Sequence, residues 1–447
     1  MYKNMTTGNP AKLILFFALP LFIGNMFQQF YSLADTLIVG RFLGVQSLAA
    51  VGCTGSIIFL IIGLVQGLTA GLAMITAQRF GAGDDQGVKN SIITSAFICF
   101  IATIVLTSLS IFFLKPLLVF MQTPPEIIAA AYTYIFIICC GLGATFLFNL
   151  LANLILALGD SKTPLFFLAF ASILNILLDL LFIRVFSFGV AGAAWATVIA
   201  QLVNGLLCLN HLRKRMASFN LSWTDWKFEL ALVRRHLQIG LPMGFQAAII
   251  AIGAIALQIA LNGLGSIAVA AYTAASKIEM LAILPMMSFG ISMGIFTAQN
   301  YGAGNIKRIR LAVRECVIMS VGFSILAAIV NIFFGQHFVE LFVGLGNQQL
   351  VVLAQKYFLV SSLNYPVVAF LFVFRYTLQG IGKTLVPTFA GVMEMAMRTI
   401  AALVLVGNLG FVGASLANPL AWWGSCIPLG IAYFMTMKDL DQNKQYC

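Results

Sequence analysis

Apolar residues run along this chain in long blocks separated by short polar breaks. The blocks fall at 13–39, 48–78, 90–114, 126–157, 164–185, 190–210, 237–262, 270–299, 311–334, 350–379, 385–407 and 410–436. Each reaches the roughly 20 apolar residues that an α-helix needs to cross a bilayer. Helices satisfy their own backbone hydrogen bonds, which is what lipid demands of a spanning segment. The pattern therefore predicts an all-α membrane protein with twelve transmembrane helices in two pseudo-symmetric six-helix bundles. The longest polar stretch, 211–236, separates them into an N-lobe at 1–210 and a C-lobe at 237–447, with 211–236 as a cytoplasmic linker. The N-terminal segment shows no cleavable signal, and the first apolar block, with eleven more behind it, is expected to be a true span.

The two halves repeat. TAQRFGAG at 76–83 matches TAQNYGAG at 297–304, an offset of 221. At that offset Gly44 falls on Gly265, and Gly189 and Gly192 fall on Gly410 and Gly413. Leu19-Pro20 pairs with Leu241-Pro242 at 222, and Gly159 and Pro164 pair with Gly382 and Pro387 at 223. This is the signature of a duplicated unit. Six spans per unit is an even number, so both halves insert with the same orientation about an axis along the membrane normal. Parallel repeats of that kind enclose a central cavity that can rock open to either side.

Composition agrees. Of 447 residues, 61% are hydrophobic and only 9% charged, against about 25% charged in an ordinary soluble chain. A soluble enzyme and a disordered chain are both excluded. The net charge of +11 does not point to nucleic acid, because the basic residues are scattered through short loops and form no dense stripe. With the N-terminus inside, eighteen of the 25 Lys and Arg lie on the cytoplasmic side. Four (Arg41, Lys115, Arg184, Lys277) lie opposite, and three (Lys356, Arg375, Arg398) fall within spans. That bias places both termini in the cytoplasm. The eight cysteines show no CxxC spacing and are read as small apolar residues. No cofactor is called for. The glycine-rich GAG loops lack a phosphate-binding pattern, so energy must come from an ion gradient or a partner.

Four acids sit well inside spans: Asp35, Asp179, Glu279 and Glu394. Each costs about 2.5–3.5 kcal/mol at mid-bilayer on insertion scales and needs a reason. Asp35, Asp179 and Thr197 come out about 8–11 Å below the outer surface at ~1.5 Å per residue. Asn175 is one turn before Asp179 on the same face. Two carboxylates, an amide and a hydroxyl at one depth make an oxygen-lined pocket that suits Na⁺ or H⁺; the bland alternative is two unrelated acids, each bonded to a neighbouring helix. Glu279 is expected either to face the cavity and attract cationic substrate or to pair with Lys277 or a polar neighbour. Glu394 and Arg398, four apart, favour an intrahelical ion pair of structural purpose. Arg375 is placed near the inner end of its span, where its side chain can snorkel to the interface. Gln28, Asn149 and Asn153 are candidate cavity residues, and Pro20 removes one backbone hydrogen bond and makes span one a bending element.

The paired TAQRFGAG and TAQNYGAG signatures, the early Leu-Pro of spans one and seven, and QQFYSLADTLIVGRFLG resemble the multidrug and toxic compound extrusion (MATE) transporters over nearly the whole chain. The acids of spans one and five are similar to those of the DinF-like branch. The resemblance implies a V-shaped arrangement of six plus six helices and cation-coupled export of bulky, often cationic drugs. It also implies a cation site at Asp35, Asn175, Asp179 and Thr197. The chain departs from NorM-like members, which carry acids in spans seven and ten. Here span seven offers Gln246, Gln258 and Asn262, and span ten offers Arg375.

The expected function is secondary multidrug efflux by H⁺ or Na⁺ antiport through alternating access. The expected partners are small-molecule drugs or toxic organic cations and membrane lipid, with no nucleic acid. The protein is expected to act as a monomer in the cell membrane. The alternative is a flippase for lipid-linked saccharides, whose cavities need several basic residues for pyrophosphate. An intramembrane enzyme fits poorly, because His211, His236 and His337 all lie at span ends.

Overall fold

The computed structural model of the chain describes residues 4–121, 123–216, 229–343 and 347–443. Part of the linker at 211–236, namely 217–228, lies outside them. The described residues are helical almost throughout, with no strand among them. In chain order the helices are α1 (Pro10–Gly81), α2 (Asp85–Phe120), α3 (Pro125–Cys140), α4 (Leu142–Ala157), α5 (Lys162–Leu180), α6 (Val190–Met216), α7 (Leu230–Asn262) and α8 (Ser266–Gly302). They continue with α9 (Ile306–Val343), α10 (Gln348–Ser362), α11 (Tyr365–Ile381), α12 (Leu385–Ile400), α13 (Val406–Leu409) and α14 (Phe411–Asn443). Two π-helical turns, Leu181–Val185 and Ala401–Leu405, extend α5 and α12.

Among the described residues nine helices are long and apolar enough to cross a membrane. Two bent pairs bring the number to eleven: α3 with α4 at 47° and α10 with α11 at 48°. The first bend falls at Gly141, where a Cβ would come 2.3 Å from Val198 Cγ2. The second falls just before Tyr365-Pro366, where the missing proline N–H ends one helix and its fixed φ starts the next. The 72 residues of α1 hold two helices merged across Gly44, whose φ of 84° and ψ of 178° are not helical. That division makes twelve spans, as the sequence predicts.

The duplication is written into the backbone. Gly265, at the start of α8, has φ 91° and ψ 168°, the same conformation as Gly44. Gly83 and Gly304 share φ of 70° and 72°, Gly159 and Gly382 share 89° and 92°, and Gly189 and Gly410 share 60° and 56°. Residues with a Cβ are strained there, so each repeat keeps glycine at the turns that define its path. The two π-helical turns occupy equivalent places, each just before one of the Gly189/Gly410 turns.

The described chain divides into two compact units, one of Met1–Asn4 and Ile23–Gly244, the other of Met5–Phe22 and Phe245–Cys447. The division passes through α1 two residues after Pro20 and through α7 two residues after Pro242. Within the first unit, the start of α7 packs on α1 at glycines: a Cβ on Gly67 would stand 2.3 Å from Met243 O, and one on Gly71 2.7 Å from Gly240 Cα. The TAQ signatures hold these segments. Gln78 Oε1 accepts from Arg235 at 3.2 Å, and Ser91 joins Thr76 at 2.8 Å and His236 at 2.9 Å. In the second unit Gln299 Oε1 accepts from the Met5 N–H at 2.9 Å, and Asn300 Nδ2 donates to Met5 O at 3.1 Å.

Candidate cation site

In the first unit α5 carries Asn175 and Asp179 one turn apart on its buried face, 1% and 0% exposed. The side chain of Asp179 meets that of Asp35 from α1, and the two carboxyl groups are within hydrogen-bonding reach of each other. With its amide nitrogen turned toward the carboxylate, Asn175 donates to Asp179 Oδ2 at 3.2 Å, and its oxygen accepts from the Thr197 N–H at 3.2 Å. The Thr197 hydroxyl donates to Ala193 O at 3.1 Å. Asp35 Oδ1 and Asp179 Oδ1 are shielded from solvent and have no hydrogen-bond partner. Asp35, Asn175, Asp179 and Thr197 therefore come together in one place, from spans one, five and six.

Two further groups stand there. The Tyr31 hydroxyl is within reach of the Thr197 side chain and faces Asp35 and Asp179. Tyr134 of α3, buried at 6% exposure, stands close enough to Asp35, Tyr31 and Asp179 to interact with them electrostatically. Tyr31 precedes Asp35 by four residues, so helical periodicity could have placed it on the same face. No sequence signal links Tyr134 to the acids.

The second unit holds charge differently. Glu394 bonds Arg398 at 3.2 Å along α12, as its spacing predicts, and also Arg375 of α11 at 2.9 Å. Arg375 Nη2 donates to Ser425 Oγ at 3.0 Å as well. Arg375 is 7% exposed, so the expectation that it snorkels to the interface is corrected. A guanidinium loses less by staying in the interior when a carboxylate and a hydroxyl receive its N–H groups. Glu279 is likewise buried, at 3% exposure, and Tyr357 donates a short hydrogen bond to its Oε2.

The sequence profile of the MatE family matches residues 20–181 and 242–405, one segment in each half. The probable multidrug resistance protein YpnP of Bacillus subtilis is 31% identical over 390 residues, 86% of this chain and 85% of that protein. The chain belongs to the MATE family. The probable multidrug resistance protein YoeA of Bacillus subtilis is 27% identical over 85% of this chain and 83% of its own length. Among solved structures, an outward-facing multidrug resistance MATE transporter aligns with TM-score 0.91 and 24% identity over 98% of both chains. This MATE chain is thus a multi-pass membrane transporter by family.

Of the remaining candidates, Asn149 Nδ2 donates to Thr145 O in its own helix at 2.8 Å. Asn153 Nδ2 donates to Thr69 Oγ1 at 3.1 Å and ties α4 to α1. Gln28 is half-buried on α1, and Glu279 lies in the other unit. Pro20 is buried within α1, and the helix runs through it unbroken. The described cysteines are all free thiols.

Proposed function

We propose that this MATE chain is a secondary active exporter of bulky, often cationic organic compounds, driven by antiport with H⁺ or Na⁺ at Asp35, Asn175, Asp179 and Thr197. The observation that carries the reading is the pair of carboxyl groups in mutual reach, each with a shielded, unpartnered oxygen. Two carboxylates at that separation cannot both stay ionised without a cation between them. The donor set is all oxygen, which suits a proton or a hard monovalent cation. Asp35 and Asp179 would hold the ion, Asn175 would orient Asp179, and Thr197 would anchor Asn175 through its backbone N–H. Coupling follows if ion and drug each favour a different state of the transporter.

The finer features of this reading fit the DinF-like branch, with Pro20 as the bending point of span one. Gln28, Asn149, Asn153 and Glu279 stand as candidate cavity residues. The chain would act as a monomer in the cell membrane with both termini cytoplasmic, 1–210 and 237–447 forming the lobes. A lipid-linked saccharide flippase is the weaker reading, because the two intramembrane arginines of the second half are engaged with Glu394 and not free for pyrophosphate. Whole-cell ethidium efflux, with a protonophore and with sodium replaced by choline, tests the proposal. Collapse under one of the two treatments is expected, and efflux indifferent to both removes ion coupling.

A further inference from the structure

Two cations of the first unit serve neither the acid pair nor any ion pair. Arg41 of α1 lies three residues before Gly44, where the first of the two merged helices ends. Arg184 lies in the π-helical turn Leu181–Val185 that closes α5. The two side chains line one cavity of about 500 Å³ together with Leu37, Ile38 and Phe42. The Arg184 guanidinium stands over the Phe42 ring, 5.8 Å from its centroid. Neither guanidinium forms an ion pair or a hydrogen bond among the described residues.

Such convergence is unfavourable by itself. Like charges repel, and an arginine at a helix end ordinarily turns to water or to a carboxylate. Only four Lys and Arg fall on the side of the spans opposite the termini, namely Arg41, Lys115, Arg184 and Lys277, and two of them share this cavity. The path of the chain does not require them either. At the offset of 221 Arg41 falls on Asn262, and at offsets 221 to 223 Arg184 falls on Leu405, Val406 and Gly407. The glycine turns close to both arginines are kept in the second half all the same.

We propose that Arg41 and Arg184 hold the headgroup of an anionic phospholipid. A phosphodiester presents two charged oxygens, which guanidinium forks meet in pairs. One anion between the arginines removes their repulsion, and the Phe42 ring fixes one of the two guanidinium groups in place. The walls favour a lipid over a free ion. Leu37 and Phe42 are exposed beside the arginines, as are Val185 and Phe186 next to Arg184 in the chain. Cations at a helix end with bare apolar side chains alongside match a charged head and its acyl chains. Assignment to the outer leaflet rests on the cytoplasmic termini proposed above; headgroup binding rests neither on that orientation nor on the antiport reading.

Native mass spectrometry of the detergent-purified full chain, offered equal amounts of phosphatidylglycerol and phosphatidylcholine, tests this. Both lipids carry a phosphate, and only phosphatidylglycerol carries a net charge. Wild type should retain phosphatidylglycerol over phosphatidylcholine, and Arg41→Gln/Arg184→Gln should retain it about 30-fold less. Lys115→Gln removes an exposed cation of the same side that lies outside the cavity, and should bind like wild type. Arg41→Lys/Arg184→Lys keeps both charges, so its preference for phosphatidylglycerol should persist, which covers poor folding of the glutamine pair. Equal retention of the two lipids by wild type, or an undiminished preference in the glutamine pair, overturns the proposal. So does an equal loss in Lys115→Gln, since net charge alone would then explain the binding. Displacement of phosphatidylglycerol by equimolar inorganic phosphate also overturns it, because the cavity would then be a site for a free anion.

Discussion

The two units share one backbone plan and hold intramembrane charge in opposite ways. In the first, Asp35 and Asp179 face each other, and among the described residues no arginine or lysine forms an ion pair with either. In the second, Glu394 is enclosed by Arg375 and Arg398. The repeat does not carry these groups across. At the offset of 221, Asp35 falls on Ala256 and Glu279 on Ile58, and the counterparts of Asp179 at offsets 221 to 223 are Ile400, Ala401 and Ala402. Glycines at the turns are kept in both halves because the path of the chain depends on them. Charges have diverged because the path does not. A carboxylate pair without a counter-ion must recruit a mobile cation, whereas one bracketed by guanidinium groups is already neutralised.

The largest effect that could break this contrast lies in the second unit. Glu394→Gln leaves two buried guanidinium groups without a counter-charge, which costs about 3–5 kcal/mol when a buried pair loses one member. A steep fall in thermal midpoint and in monodisperse yield is expected. Normal folding with efflux abolished would instead move the cluster from structure into transport.

The next tests the shared frame. A Cβ on Gly413 would meet Leu405 O at 2.1 Å, whereas one on Gly192 would meet Phe182 Cβ at 3.0 Å. Forcing a methyl into a filled space costs about 1–3 kcal/mol. Gly413→Ala should lower the thermal midpoint clearly and Gly192→Ala less, because the overlap with Leu405 O at 2.1 Å is far deeper than the contact with Phe182 Cβ at 3.0 Å. Equal midpoints would mean that the two turns are not packed as the structure has them.

The smallest effect belongs to Thr197. Its backbone N–H, not its hydroxyl, meets Asn175, and the hydroxyl bonds its own helix. Thr197→Ala should slow dye efflux by only about threefold, the size of an intramembrane side-chain hydrogen bond worth ~0.6 kcal/mol. A loss as complete as that of an aspartate variant would make the hydroxyl a direct ligand of the ion.

Much of this was legible in the chain alone. Block lengths carry the twelve spans, since 20 apolar residues have few other uses, and glycine spacing carries the repeat. Asp35, Asp179 and Thr197 could be matched by depth because helical rise converts residue counts to distance. Arg375 could not be read in the same way. Its pairing with Glu394, 19 residues on, depends on how α11 and α12 cross, and its position in the span gives no hint of that. Tyr134 reaches the acid pair through packing of α3, again a matter of tertiary contact. The burial of Glu279 against Tyr357 was hidden for the same reason: periodicity shows which face a residue is on, not what covers that face.

The central claim is that the first unit's acid pair couples ion to drug. It is tested by ethidium efflux in proteoliposomes under an imposed proton or sodium gradient, with wild type, Asp35→Asn and Asp179→Asn at equal reconstituted amounts. Asparagine keeps the size and removes the charge, so both variants should fold like wild type and lose gradient-driven efflux to the level of empty liposomes. Full efflux in both variants under the same gradient would contradict the account.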